Sequence, residues 1–215
     1  MLPVFFDNLP YLLNGAVKTI VLALAGVTTG TLLGMALGIF SVMAPAPIRW
    51  GITTYVFVVR GIPVLVWMFL AYYMLPAMGI IVGDFVAVVG ALIMYTGAFV
   101  TEIFRGAVLA VPSGQVNAAR SLGMRRWTML KLVILPQAMK LSIPPLLNNS
   151  VMMIKATSYV SVVGVWELTY AAREVVERTL APFQIFLGVM ILYFFICYPL
   201  SILAKRLEQT YAYEH

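Results

Sequence analysis

Asn117-Ala118-Ala119-Arg120-Ser121-Leu122-Gly123-Met124-Arg125-Arg126-Trp127, continuing to Val133-Ile134-Leu135-Pro136, is a polar, basic island between two long apolar runs, Phe85–Phe104 and Leu141–Val165. The runs decide the fold class. About 20 apolar residues in helix cross a hydrocarbon core of about 30 Å. Working outward, three more such runs occur, at Gly15–Met43, Tyr55–Leu75 and Phe183–Ala204. The runs are continuous and do not alternate, which excludes a membrane β-barrel. The chain reads as one all-α membrane domain, residues 1–215, with five transmembrane helices.

Composition agrees. Of 215 residues, 62% are hydrophobic and only 10% charged, too few charges for the surface of a soluble domain. One cysteine (Cys197) and one histidine (His215) exclude a disulfide framework and a His- or Cys-rich metal centre. The first ten residues carry no Lys or Arg, and the first apolar run is too long for the core of a cleavable signal peptide. The net charge of +6 follows membrane topology rather than nucleic-acid binding. Arg105, Arg120, Arg125, Arg126, Lys131 and Lys140 share one connection, Lys205 and Arg206 lie in the tail, and Arg49 lies in the connection Ala44–Thr54. The segment before Gly15 and the connection Pro76–Asp84 carry no Arg, Lys or His, and Glu167, Glu174 and Glu177 dilute Arg173 and Arg178. Basic residues favour the cytoplasm, so the N-terminus is expected outside, and the island and C-terminus inside.

Gly26, Gly30, Gly34 and Gly38 repeat every four residues and lie near one helix face, where another helix can approach closely. Packing within the bundle is the expected use, and a homodimer seam the alternative. Pro63, after Arg60-Gly61-Ile62, removes a helix hydrogen bond and bends the entry of the second span. Arg60 is expected to snorkel to the interface. Pro144-Pro145 mark a helix start, and Asn148-Asn149 one turn later must face protein or a cavity. Tyr72, Tyr73, Tyr95, Tyr159, Trp67 and Trp166 read as interface anchors or bundle packing, and Met152-Met153 as core filling.

Within the island, Ser113 caps a helix starting at Gly114 or Gln115. Gly123 ends it in a left-handed conformation. A second helix runs from about Arg125 to Leu132 and toward Pro136, which closes the motif. Leu122, Met124 and Trp127 supply an apolar surface. A basic helix lying on anionic lipid explains the arginines, but not the Ala118-Ala119 pair, the glycine break or the Leu-Pro ending.

Asn117-Ala118-Ala119, Gly123 and Val133-Ile134-Leu135-Pro136, in that spacing, resemble the EAA motif of ATP-binding-cassette importer permeases. Arg60-Gly61-Ile62-Pro63, Glu102-Ile103-Phe104-Arg105-Gly106, and Lys155-Ala156-Thr157-Ser158 through Gly164-Val165-Trp166-Glu167-Leu168 resemble elements of the polar amino-acid permease branch. The likeness runs from the first span to Leu207. It implies that Asn117, Ala118, Ala119, Leu122, Gly123, Arg125, Arg126 and Trp127 dock on cytoplasmic ATPase subunits, with Arg60, Pro63 and Pro136 structural. It further implies a second permease subunit (the same or a homologous chain), an extracytoplasmic solute-binding protein, a small-molecule cargo such as a polar amino acid, and a bacterial inner-membrane location. Three positions depart from the family pattern: Asn117 stands for the opening glutamate, Ile62 for the threonine of RGTP, and Ala156 for a frequent acidic residue. The last departure disfavours a strongly cationic cargo.

No G-x-x-x-x-G-K-[ST] occurs, so ATP and its Mg²⁺ are expected on the partner ATPase, with no cofactor, no metal and no catalytic residue in this chain. Ionisable groups inside spans are expensive and point to function. Lys155 reads as a cation for a solute carboxylate, with Thr157, Ser158 and Ser161 beside it, or as a lysine that ties the bundle. Glu102 belongs to the path or pairs with Arg105 at i+3. Glu167 meets a solute ammonium or, by default, faces external solvent. An unbroken helix would hold Lys155 and Glu167 about 18 Å apart, so the helix breaks near Gly164 or only one of them takes part. Two other classes remain open from residues alone: a membrane subunit that only recruits a cytoplasmic protein, and a gradient-driven secondary transporter, although no inverted repeat is visible.

Overall fold

The computed structural model describes residues 3–212, and His215 lies outside them. The chain is helical throughout: α1 Pro3–Met43, α2 Ala46–Gly61, α3 Val64–Ala77, α4 Asp84–Leu109, α5 Ser113–Ser121, α6 Arg126–Val163, α7 Leu168–Thr179 and α8 Pro182–Ala212. Helices α1, α4, α6 and α8 are long and apolar enough to cross a membrane, and α2 with α3 form a bent pair.

The glycine ladder sets the first contact. A methyl group added at Gly26, Gly30, Gly34 or Gly38 would meet Leu92, Thr96, Val100 or Phe104 of α4. Lipid tails are as apolar as leucine, so close van der Waals fit rather than water exclusion holds such a seam. The ladder therefore packs within the chain, as expected. The paired numbers rise together, so α1 and α4 run in the same direction. Helix α1 ends at the island end of the bundle and α4 begins at the far end, so α2 and α3 carry the chain back. Helix α8 runs with α1, since Leu12 clusters with Ile185 and Val189, and Ala23 with Cys197. Helix α6 runs against α4, with Ala138 beside Phe104 and Ala156 beside Leu92. Among the described residues the chain thus runs along the bundle five times, the second time as the bent pair α2 and α3.

The second passage is the least regular. Its helix starts at Ala46, inside the expected connection Ala44–Thr54, and the axis turns 101° at Ile62-Pro63. Pro63 has no N–H to offer the Val59 carbonyl. The Trp67 indole N–H donates to that carbonyl at 3.2 Å and holds the bend.

Two expectations about proline are corrected. Pro136 does not close a helix, and Pro144-Pro145 do not start one; all three lie inside α6. A π-helical turn, Leu130–Ile134, precedes Leu135-Pro136, and another, Leu70–Met74, precedes Leu75-Pro76. The wider turn makes room for a ring that would otherwise strike the carbonyl four residues back. Close to its far end, α6 tightens to 3-10 geometry over Thr157–Val163 and stops at Gly164, whose φ of 91° is left-handed. The helix thus breaks at Gly164, the first of the two alternatives that the Lys155–Glu167 spacing leaves open.

Candidate coupling surface and solute path

At the island end, the N–H of Gly123 donates to the Arg120 carbonyl (2.9 Å) and that of Met124 to the Ala119 carbonyl (3.2 Å). This paired termination needs a left-handed residue, and Gly123 supplies it with φ 71°. Helix α5 starts at Ser113 itself, and no side-chain cap forms, which corrects the expected Ser113 cap. Met124, Ala119, Met129, Leu130 and Ile134 pack against Phe104, Ala107 and Val108 at the end of α4. That cluster fixes the island to the bundle. Leu122 (81% exposed) and Trp127 (59%) point away from it, and Asn117, Ala118, Gly123, Arg125 and Arg126 are exposed with them. Of the eight residues singled out in the island, only Ala119 is buried.

On α4, the Arg105 Nε–H donates to the Glu102 carboxylate at 3.0 Å, forming the one ion pair among the described residues. The Arg60 guanidinium lies 4.8 Å from the centre of the Phe99 ring. Arg60, Glu102, Leu141 and Pro145 line a cavity of about 410 Å³ between α2, α4 and α6. Pro145, Asn148, Met152, Lys155, Tyr159 and Val162 follow one another at three- or four-residue steps, all exposed, and form one uncovered stripe of α6. Lys155 has no carboxylate partner among the described residues. Met152 belongs to the stripe and Met153 to the core, which divides the pair expected to fill the core together. Asn148 is on the stripe, whereas Asn149 is buried.

Of the remaining residues singled out for a path, Thr157, Ser161 and Glu167 are buried. The Thr157 and Ser161 hydroxyls donate back to the carbonyls of Ile154 and Ser158 at 2.7 Å each. Ser158 is half-buried and donates to the Lys155 carbonyl at 2.8 Å. Ala156 lies in the core with Leu22, Val88 and Leu92 and does not face the stripe.

Glu167 corrects the expectation of external solvent, because it is 0% exposed. It caps α7, accepting from the Tyr170 N–H at 3.0 Å. Its other oxygen accepts from the hydroxyls of Thr19 (3.0 Å) and Tyr193 (3.1 Å). Thr19 in turn accepts from the Leu168 N–H at 3.2 Å. Burial pushes the Glu167 carboxyl above the ordinary carboxylate range, against the opposing pull of these donors. Beside it, the Trp166 indole N–H donates to Glu174 at 2.9 Å and to the Tyr11 hydroxyl at 3.2 Å. Thr19, Tyr193 and Tyr11 belong to no motif in the sequence, and Glu174 stands out there only for its charge. For Thr19 and Tyr193 the available signal is a polar side chain inside an apolar run, whereas Tyr11 and Glu174 lie outside the runs.

Three comparisons bear on this geometry. Residues 8–213 match the family described as "Binding-protein-dependent transport system inner membrane component". The chain is 35% identical to the probable glutamine ABC transporter permease protein GlnM of Bacillus subtilis, over 97% of this chain and 98% of that one. It is 32% identical to the glutamine transport system permease protein GlnP of Escherichia coli, over 94% and 93%. Its fold superposes on the crystal structure of an amino acid ABC transporter with histidines, with TM-score 0.92, 32% identity and 98% of each chain covered. The inward-facing MetNI methionine ABC transporter shares the fold, with TM-score 0.80 at 16% identity.

Proposed function

This chain belongs to the family of inner membrane components of binding-protein-dependent transport systems, and we propose that it carries polar amino acids inward by alternating access. It is a multi-pass permease subunit of an ABC importer in a bacterial inner membrane, and not itself an enzyme. An ATPase, a solute-binding protein and a second permease belong to such a system. In the proposal the island end faces the cytoplasm and the N-terminus faces out, as the arginine-rich connection favours.

One observation carries the mechanism. The exposed island is continuous with the membrane lever: α6 runs as one helix from Arg126, past Lys155, to Val163. When two ATPase subunits close on ATP and its Mg²⁺, they push Asn117, Ala118, Leu122, Gly123, Arg125, Arg126 and Trp127 together with the buried Ala119. The displacement then passes along α6 without leaving the helix. Its two π and 3-10 segments and its prolines are the places where it can bend.

The uncovered stripe of α6 is the proposed path wall. A lysine and an asparagine facing lipid are costly, so the second permease subunit covers this stripe and the cargo moves between the two. Lys155 meets the cargo carboxylate there, with Ser158 beside it bonded to the Lys155 carbonyl, and the cavity at Arg60 and Glu102 continues the path toward the cytoplasm. Thr157 and Ser161 shape the turn, and Glu167 holds it in place. Glu102 is already neutralised by Arg105, so the path offers more positive than negative charge and favours neutral or acidic amino acids.

The test is nucleotide-dependent uptake in proteoliposomes containing this chain with its ATPase and binding protein. Leu122→Asp, at an exposed position, should cut uptake at least about tenfold, as loss of a buried interface anchor does, with the melting temperature unchanged. Uptake that persists without nucleotide, or is untouched by this change, removes the mechanism.

A further inference from the structure

We infer that an arginine-lined cavity between α1, α2 and α4 binds the phosphate group of an anionic phospholipid. This cavity, of about 560 Å³, lies on the other side of Arg60 and Glu102 from the proposed path. Arg49, Arg60 and Arg105 converge on it with a single carboxylate, Glu102, which Arg105 already holds. Neither Arg49 nor Arg60 has a carboxylate within 4.0 Å among the described residues. Arg60 stacks its face on Phe99, which leaves its in-plane N–H donors for another group.

The remaining polar wall cannot take that role. The hydroxyls of Ser41, Thr53 and Thr101 donate to the carbonyls of Gly38, Arg49 and Gly97. Recognition therefore rests on guanidinium groups, whose planar fork matches two phosphate oxygens. The position fits a headgroup. The cavity is walled by the last turn of α1 and by Leu109, the last residue of α4. Basic pockets between spans at that depth bind anionic headgroups. Trp50 on α2 is 77% exposed, as tryptophans at the membrane interface are, and the exposed Phe57 two turns on offers apolar surface for the acyl chains. None of this depends on the transport reading.

The experiment is native mass spectrometry of the full chain in zwitterionic detergent. It is titrated with a short-chain phosphatidylglycerol, the matching phosphatidylcholine, or inorganic phosphate. Both headgroups carry the phosphate, but choline adds a fixed positive charge that the arginines repel, so phosphatidylglycerol should bind at least about tenfold tighter than phosphatidylcholine. Arg49→Gln should remove most of that preference, and Arg49→Lys, which keeps the charge but loses the fork, should keep only part of it. Should Arg49→Gln not fold, Thr53→Glu, which places a carboxylate one turn from Arg49, should weaken phosphatidylglycerol in the same way. Lys131→Gln, a basic change on the island, should leave the preference intact. Equal binding of the two lipids, or equal losses in Arg49→Gln and Lys131→Gln, overturns the site. Inorganic phosphate competing as well as the lipid overturns the lipid assignment.

Discussion

Both ends of the bundle hold an apolar cluster, but among the described residues only the far end adds a buried hydrogen-bond network between helices. At the far end, Glu167 accepts from Thr19 of α1, Tyr193 of α8 and the first turn of α7. At the island end, α5 and the start of α6 rest on the end of α4 through an apolar cluster, and their polar groups face outward. Directional hydrogen bonds between buried groups fix one register, since a shifted partner leaves a buried donor or acceptor unpaired. Apolar contact has no such directionality. The network gives the far end a single register, and the proposed coupling motion falls to the island end, whose footing has no such network among the described residues. The α1–α4 glycine seam joins them.

The largest expected effect breaks that joint. A methyl group at Gly34 would lie 2.5 Å from the Val100 Cβ and 2.6 Å from the Gly97 carbonyl. Gly34→Leu should lower stability by about 3 kcal/mol or more, as overpacking a tight contact does. Loss of folded protein in detergent and a lower melting temperature would check it. An unchanged melting temperature would mean that the seam opens freely and transmits nothing.

Next in size is Ala119→Asp, which tests the apolar footing of the island. Ala119 is 4% exposed, so a carboxylate there has no partner and should undock the island. Uptake should fall at least about tenfold, in the range expected when a buried contact is lost. Most of the melting transition should survive, because the seam and the far end are untouched. A collapse of the whole transition would show that the island is not a separable body.

The sequence made the island end legible and left the far end hidden, for a physical reason. The island's signals are local. Gly123 ends α5 through contacts within six residues, and Glu102 pairs with Arg105 three residues on. The glycine ladder is likewise periodic and readable along one helix. The far end is assembled from distant parts: Thr19 meets Glu167 across 148 residues and Tyr193 meets it across 26. No local pattern reports that meeting, so Glu167 read as a solvent-facing acid. Prolines misled in the opposite direction. Pro136, Pro144 and Pro145 suggested boundaries by their local chemistry, and α6 continues through them. The bend at Pro63 was foreseen, but not its 101° nor the Trp67 bond that satisfies Val59.

A smaller effect sharpens the directional side of the comparison. Thr19→Val keeps the shape and removes a hydroxyl that both donates to Glu167 and accepts from Leu168 N–H. It should cost about 1–3 kcal/mol, the range for leaving a buried polar group unpaired. Val at the island position Thr128 is a fit comparison, because no buried network there depends on it. A melting-temperature drop confined to Thr19→Val supports the contrast, and equal drops end it.

The smallest effect is in pH dependence. Burial raises the Glu167 carboxyl above its ordinary range in the folded chain. Between the unfolded and folded values the native state holds the extra proton, so stability is greatest below the ordinary carboxylate range and declines as pH rises through the raised one. Glu167→Gln cannot ionise and should flatten that decline in melting scans from about pH 4 to 8. The amide offers two donors where the chain supplies only donors, so the variant should also melt lower than the parent at the acid end. The same scans on Glu102→Gln should lack the flattening, because Glu102 is half-exposed and paired with Arg105. A slope that survives in Glu167→Gln would place the titrating group elsewhere and would leave the far end without its central acceptor.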